Sequence, residues 1–131
     1  MKIRQSAEDY FETIYVLKQR NGSVRSIDIA NEMSFSKPTV SVAMKKFREN
    51  GFITVDENGM IELTEDGLKI AKKTYDKHTT IAHGLMLLGV NEKTAVEDAC
   101  RIEHCVSDES FVAIKKLVAE ESAKREKDNG K

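Results

Sequence analysis

The 131-residue sequence has only one proline, two cysteines, no tryptophan and no long apolar run. A single proline leaves long helices uninterrupted. Two cysteines are too few for a disulfide framework, so we expect thiols or metal ligands rather than a disulfide. Without a run of about 18 apolar residues, no transmembrane helix is expected. The first residues also lack the apolar segment of a signal peptide, so we expect no membrane partner and a cytoplasmic location.

Charge is abundant but unevenly distributed. Charged residues make up 33% of the chain and the net charge is −1, so no global basic field favours nucleic acid. Residues 1–50 carry nine Lys or Arg against six Asp or Glu, a net charge of +3, whereas residues 51–90 and 91–131 each carry a net charge of −2. This distribution predicts that the first 50 residues contact a polyanion and that cations bind farther along the chain.

Apolar periodicity and capping residues predict the secondary structure. In the first 50 residues they indicate a helix over 7–20 with Ser6 as its N-cap, a helix over 26–33, and a third helix that starts with Ser36 as its N-cap and continues to Asn50. The next segment, 52–63, is predicted as a β-hairpin. Three helices are then predicted over 65–88, with Thr64 as the cap, over 92–105 and over 108–123, followed by a disordered charged tail over 124–131. Domain boundaries are expected at 1–64 and 65–123.

Two short helices, a tight connection, a third helix and a hairpin are typical of a winged helix-turn-helix domain that binds DNA. The third helix would enter the major groove. Short hydroxyls, cations and helix N-termini are the groups that contact DNA, and they predict these residues: Arg25, Ser26, Ser36, Lys37, Pro38, Thr39, Ser41 and Lys45. The acids Asp56 and Glu57 argue against a wing that binds phosphate. The alternative is that these side chains are only the solvated face of a helical domain.

Cys100, Glu103 and His104 are spaced i, i+3, i+4, which places them on one face of the predicted fifth helix. A thiolate, a carboxylate and an imidazole together are typical of a transition-metal site. Three further candidate ligands lie on the first and fourth predicted helices: Asp9, Glu12 and His78. Taken singly, these residues have ordinary explanations. Asp9 and Glu12 could be acids that stabilise the helix dipole, His78 a surface histidine, and Cys100 a buried thiol. Six ligands could hold two neighbouring cations.

The sequence resembles the diphtheria toxin repressor and manganese transport regulator family of metal-dependent transcriptional repressors. The resemblance spans residues 6–115 and rests on Ser6-Ala-Glu-Asp-Tyr-Phe-Glu-Thr-Ile-Tyr15, Ser36-Lys-Pro-Thr-Val-Ser41, Lys77-His78, Leu88-Gly-Val90 and Glu97-Asp-Ala-Cys-Arg-Ile-Glu-His104. It implies a mainly α fold, with an N-terminal winged helix followed by a helical dimerisation and metal-binding domain. It also implies a homodimer that binds a palindromic double-stranded DNA operator and controls genes of metal-ion homeostasis.

The resemblance implies metal ligands at Asp9, Glu12, His78, Cys100, Glu103 and His104. Asp9 and Glu12 agree with the manganese branch, whereas Cys100 agrees with the iron branch. The second site of the iron branch needs an acid and a histidine where this chain has Ala82 and Val96. The chain length also leaves no room for that branch's SH3-like domain. We expect Mn(II), or Fe(II) close behind, with up to two ions per subunit.

Two other classes of protein compete with this hypothesis. One is a metal-independent winged-helix regulator that responds to another ligand. The other is a small metallohydrolase, since a Cys–His pair beside carboxylates could support nucleophilic or hydrolytic chemistry. Because the sequence has no Gly-rich loop and no motif for a substrate pocket, we expect that the protein is not an enzyme.

Overall fold

The computed structural model of the chain describes residues 5–129. The chain divides into two compact units, the first ending at Thr74 and the second beginning at Tyr75. This division falls inside a helix, later than the predicted boundary after residue 64, so the domain limits stay a prediction. Residues 1–4 of the predicted first domain and residues 130 and 131 of the predicted tail lie outside the described residues.

Six helices and one two-stranded sheet make up the secondary structure of residues 5–129. In chain order they are α1 (Gln5–Asn21), α2 (Ser26–Met33), α3 (Lys37–Glu49), β1 (Ile53–Val55), β2 (Ile61–Leu63), α4 (Glu65–Leu87), α5 (Glu92–Ile102) and α6 (Asp108–Asn129). The predicted fold class, mainly α with three helices and a β-hairpin ahead of three more helices, is confirmed.

Local hydrogen bonds explain where the helices of the first unit begin. Ser36 caps α3 as predicted, because its hydroxyl accepts a hydrogen bond of 3.3 Å from the Thr39 N–H. Pro38 lies in the first turn, where a missing N–H costs little. Ser6 was predicted as the N-cap of the first helix, and this is wrong because Gln5 is already helical. Glutamine is a better helix former than serine, so the helix extends past Ser6.

The β-hairpin is closed by the predicted turn at residues 56–59. One Asp56 carboxylate oxygen accepts hydrogen bonds from the N–H groups of Asn58 and Met60, at 2.8 and 2.9 Å. Gly59 has a φ of +79°, a conformation that glycine adopts without strain. The strands pair antiparallel with Thr54 opposite Glu62. The Asp56 side chain is therefore committed to the turn.

One hydrophobic core holds the first unit together. Rings of Phe11 and Phe47 pack with centroids 4.8 Å apart, and Tyr10 lies 5.5 Å from Phe47. Such aromatic pairs contribute about 0.5–1.5 kcal/mol each beyond their buried area. A Cβ atom at Gly67 would lie 2.2 Å from the Phe52 carbonyl oxygen. The start of α4 can therefore approach the backbone before β1 this closely only because residue 67 is glycine.

Burial raises the pKa of the Tyr10 phenol above its ordinary value of 10.0. The unfolded chain therefore loses this proton first, so the free energy of unfolding is retained below about pH 10 and falls above it, by at most about 1.4 kcal/mol per pH unit. We expect Tyr10→Phe to flatten this fall. Urea denaturation of both proteins at about pH 8 and about pH 11 checks it. Equal losses in the two proteins would contradict the assignment.

The second unit contains most of α4, together with α5 and α6. Its core includes Ile81, Ala82 and Ala99. Asn91 caps α5 by accepting a hydrogen bond of 2.9 Å from the Thr94 N–H. None of the helices within residues 5–129 is long and apolar enough to cross a membrane.

Two predicted helix ends in the second unit are wrong. The helix predicted over 92–105 ends at Ile102, and the last helix continues to Asn129 instead of ending near residue 123. Residues 124–129 are therefore helical where a disordered tail was predicted. The Arg125 guanidinium donates to Glu121 one turn earlier and to the Leu87 carbonyl, at 3.0 and 2.7 Å. These contacts stabilise a polar segment that has no apolar periodicity of its own.

Candidate metal centre

Four of the predicted ligands come together in the second unit, where α5 ends near His78 of α4. Glu103 follows α5 directly, and its N–H still donates to the Ala99 carbonyl at 3.0 Å. Its φ of −55° and ψ of −28° are helical. The helical spacing from Cys100 to Glu103 is therefore kept even though the helix ends at Ile102.

Glu103 is the centre of this cluster and is only 3% exposed. One carboxylate oxygen, Oε2, lies 2.9 Å from His78 Nδ1, and the other, Oε1, lies 3.2 Å from His104 Nε2. Among the described residues, no hydrogen bond with proper geometry satisfies Oε2. A buried carboxylate is costly unless a cation or hydrogen-bond donors stabilise it. The buried position of the Glu103 carboxylate therefore favours a bound cation beside it.

Cys100 adds a sulfur ligand at the edge of the cluster. Its Sγ lies 3.7 Å from His78 Nδ1, and the residue is exposed. Ligand atoms about 2.1 Å from one ion lie roughly 3 Å from each other, which is close to the separations seen among these donors. A carboxylate with an imidazole near each of its oxygens, and a thiol near one of those imidazoles, is a donor set that suits divalent transition metals.

Asp9 and Glu12 lie on α1 in the first unit, close to one turn apart, and both are half-buried. Because α1 includes Gln5, the acid in its first turn is Glu8, and Asp9 and Glu12 follow later. A helix dipole acts mainly on groups within the first turn. Stabilisation of the helix dipole, which the sequence offered as an ordinary role for Asp9 and Glu12, is therefore a weaker explanation for these two acids.

The other cysteine and another histidine of the second unit, Cys105 and His83, have different contacts. The Cys105 thiol donates to the Arg101 carbonyl at 3.7 Å, and His83 Nε2 lies 3.1 Å from the Ser122 hydroxyl. Neither cysteine is in a disulfide.

Lys77 is a residue whose role the sequence analysis missed. It is 9% exposed, and its ammonium donates to the Val106 carbonyl at 3.0 Å. The same ammonium lies 3.5 Å from Asp108 and 5.9 Å from the centre of the Phe111 ring. Lys77 therefore fixes the segment that follows His104. Its spacing with Thr74 and Ile81 on the buried face of α4 was the available signal.

The predicted DNA contacts lie on the surface of the first unit. The following residues are exposed: Arg25, Ser36, Lys37, Pro38, Thr39, Ser41 and Lys45. Ser26 is half-buried. The Arg25 N–H donates to the Asp28 carboxylate at 2.9 Å, so an internal acid already uses one donor at the start of α2. A phosphate at this N-terminus would have to share that position.

The first unit has three helices, a β-hairpin and a basic third helix, and the second holds a buried carboxylate beside two imidazoles. This combination is the one expected of a metal-dependent DNA-binding transcriptional regulator. Comparison with known proteins agrees. The model of the N-terminal DNA-binding domain of iron-dependent repressors matches residues 2–61. The model of their metal-binding and dimerisation domain matches residues 64–125. The chain belongs to the iron-dependent repressor family, so it is a regulator rather than an enzyme.

Individual relatives support this assignment. The chain is 39% identical to an uncharacterised HTH-type transcriptional regulator of Methanocaldococcus jannaschii, over 85% of this chain and 90% of that protein. It is 32% identical to the HTH-type transcriptional regulator MntR of Bacillus subtilis, over 94% of this chain and 88% of that protein. The solved structure of the manganese regulator SloR is 32% identical, with a TM-score of 0.75. That match covers 91% of this chain but 55% of SloR, so the chain spans about half of that structure's length.

Proposed function

We propose that this protein is a cytoplasmic, homodimeric repressor that binds a palindromic DNA operator when loaded with Mn(II) or Fe(II). The genes it controls would serve metal-ion homeostasis. The observation that carries the proposal is the buried Glu103 carboxylate, which lies between the imidazoles of His78 and His104. The exposed cations of α3 support the proposed binding to DNA, because Lys37 and Lys45 are suited to contact phosphates.

The proposed ligands are Asp9, Glu12, His78, Cys100, Glu103 and His104, with up to two ions per subunit. For the last four, the support is their close approach within the second unit. For Asp9 and Glu12, the support is their partial burial and the resemblance of the stretch around them to the manganese branch. A bound ion would supply positive charge that neutralises these carboxylates.

The donor set bears on which metal the protein senses. Three carboxylates suit Mn(II), whereas the Cys100 thiolate shifts preference towards Fe(II), Co(II) or Zn(II). Relatives named as manganese regulators include SloR and MntR. We therefore favour Mn(II) and keep Fe(II) as the second candidate.

Coupling between metal and DNA would arise because the ligands belong to both units. Without an ion, the negative charges of Asp9, Glu12 and Glu103 disfavour any arrangement that brings them together. When all three carboxylates bind the same ions, they restrict α1 relative to the second unit. In a dimer, this would hold the two α3 helices about 34 Å apart, the repeat of one DNA turn. A coupling of about 1–3 kcal/mol would change DNA affinity by about 5–150-fold.

The proposed DNA contacts are the predicted ones on α2 and α3: Arg25, Ser26, Ser36, Lys37, Pro38, Thr39, Ser41 and Lys45. Their exposure supports this role. The Ser36 and Thr39 hydroxyls lie 2.7 Å apart at the start of α3 and could bind one phosphate together.

The proposed dimer surface is an apolar groove of the second unit, with a volume of about 540 Å³. Leu88 and Leu117 line it and are 81% and 66% exposed. Such exposure of leucine next to an apolar groove is typical of a protein interface. We assign a second copy of this chain as the partner, because the matching family model describes a metal-binding and dimerisation domain over residues 64–125.

Titration with Mn(II), Fe(II) and Zn(II) tests this function. Retention on random DNA duplexes and thermal stability would be measured at each ion concentration. We expect Mn(II) or Fe(II) to raise DNA affinity by about 5–150-fold and to raise the melting temperature. Duplexes recovered by selection should contain a palindrome. DNA binding that is equal with and without metal would instead indicate a metal-independent regulator.

A further inference from the structure

Val42 is an apolar side chain in the middle of the outward face of α3. It is 70% exposed, the largest exposure among the large apolar side chains described in the first unit. Val40, Met44 and Phe47 are buried and define the inner face of the helix. Val42 follows Val40 by two residues and therefore points about 200° away from it. It contributes nothing to the core that would explain a valine at this position.

The surroundings of Val42 are cationic. Lys45 and Lys46 follow it by three and four residues, so they are its neighbours on the helix surface, and both are exposed. Over its whole length α3 carries four cations and one acid, which are Lys37, Lys45, Lys46, Arg48 and Glu49. An apolar protein surface would have to desolvate these charges, whereas DNA would pair with them. Charge complementarity therefore selects DNA as the partner of this face.

A valine has no donor or acceptor, so it can distinguish bases only through apolar contact. In the major groove, the one apolar group on a base edge is the 5-methyl group of thymine. A cytosine at the same place would lose the hydration of its amino group without gaining a partner. We propose that Val42 selects thymine at one base pair of each operator half-site. This inference rests on the proposed entry of α3 into the major groove, and it adds a residue absent from the predicted contacts.

The test uses the full-length protein, loaded with metal, and the operator recovered by duplex selection. Each thymine is replaced in turn by deoxyuridine, which removes the methyl group and keeps all hydrogen-bonding groups. We expect one position per half-site to lose about fourfold in affinity, and both together to lose about 15-fold, as for the loss of one and two buried methyl groups. Substitution at the other thymines should change affinity much less.

Val42→Ala should lower this sensitivity, because alanine keeps only one methyl group and reaches less far from the helix. The ratio of its affinities for the thymine and deoxyuridine operators should fall towards one. Alanine is the best helix former and the site is exposed, so the fold is retained. Lys46→Ala is the matched control. It should weaken binding to both operators while keeping the ratio between them, because a phosphate contact carries no base information.

The outcomes separate the two proposals. Metal-dependent binding in which every thymine tolerates deoxyuridine would overturn the role of Val42 and leave the proposed function intact. A thymine preference that is equally strong in Val42→Ala would also overturn it. The absence of any metal-dependent DNA binding by the wild-type protein would overturn the proposed function, and the role of Val42 with it.

Discussion

Glu103→Gln is expected to abolish metal-stimulated DNA binding and to lower metal affinity by at least about 100-fold. The change keeps the size of the side chain but removes the negative charge between His78 and His104. An amide is a poor ligand for a transition metal, and one amide atom is a donor that would face an imidazole or the ion. Metal affinity would be measured by calorimetry, and DNA affinity by fluorescence anisotropy with and without metal.

The same substitution should leave the metal-free fold intact. In the wild-type chain the Oε2 atom of Glu103 is buried, and its 2.9 Å contact with His78 Nδ1 lacks the geometry of a hydrogen bond, so burial of this charge costs free energy when no ion is bound. We therefore expect the free energy of unfolding without metal to stay equal or to rise by about 1–3 kcal/mol. A structural role alone would lower it instead. This difference in sign separates a ligand from a structural residue.

Glu97→Gln is the matched control, because Glu97 is an exposed acid on α5, the helix that Glu103 directly follows. It removes the same charge from α5 and should leave metal affinity within about twofold, since exposed charges interact weakly. If Glu103→Gln bound metal as tightly as the wild-type protein, Glu103 would not be a metal ligand. The proposed function would then lose its main support. Equal losses in both variants would indicate a general effect of acidic charge rather than a ligand at residue 103.

Helix starts were predictable where a local side chain determines them. Ser36 and Thr64 were read as caps from sequence, and both hydroxyls accept an N–H of the first turn in the structure. The bounds of α2 were also predicted correctly. Helix ends were less predictable because distant contacts set them. Arg125 reaches the Leu87 carbonyl, which is 38 residues earlier in the chain, and no local pattern signals that contact.

In the metal cluster, too, local relations were predictable from sequence and distant contacts were not. Helical spacing indicated that Cys100, Glu103 and His104 share a face, because that relation is local. The depth of burial of Glu103 and the contact of Lys77 with Val106 were not predictable, because both depend on how α4 packs against the end of α5. The resemblance to known repressors supplied the pairing of His78 with this segment. The structure adds that His78 Nδ1 lies 2.9 Å from Glu103 Oε2.

The apolar groove of the second unit leads to the other large expected effect. Leu117→Glu should dissociate the dimer and lower affinity for a palindromic operator by at least about 100-fold. The new carboxylate would lie in the groove beside Glu121, whose charge is already paired with Arg125. Association of two copies would therefore bury a carboxylate from each without a cation of its own. When one subunit of a dimer is bound, the other meets its half-site at a high effective concentration, which raises the affinity for the whole operator. A monomer lacks this increase in affinity. Sedimentation and DNA titration would be measured on the same metal-loaded samples.

Val112→Glu provides a matched control on the same helix. Val112 and Leu117 are both 66% exposed, but Val112 does not line the groove. This variant should therefore stay dimeric and bind the operator normally. Because a monomer contacts one half-site, Leu117→Glu should bind a single half-site and the full palindrome with nearly equal affinity, whereas the wild-type protein should strongly prefer the palindrome. A dimeric Leu117→Glu protein that keeps this preference would show that subunits associate through a different surface.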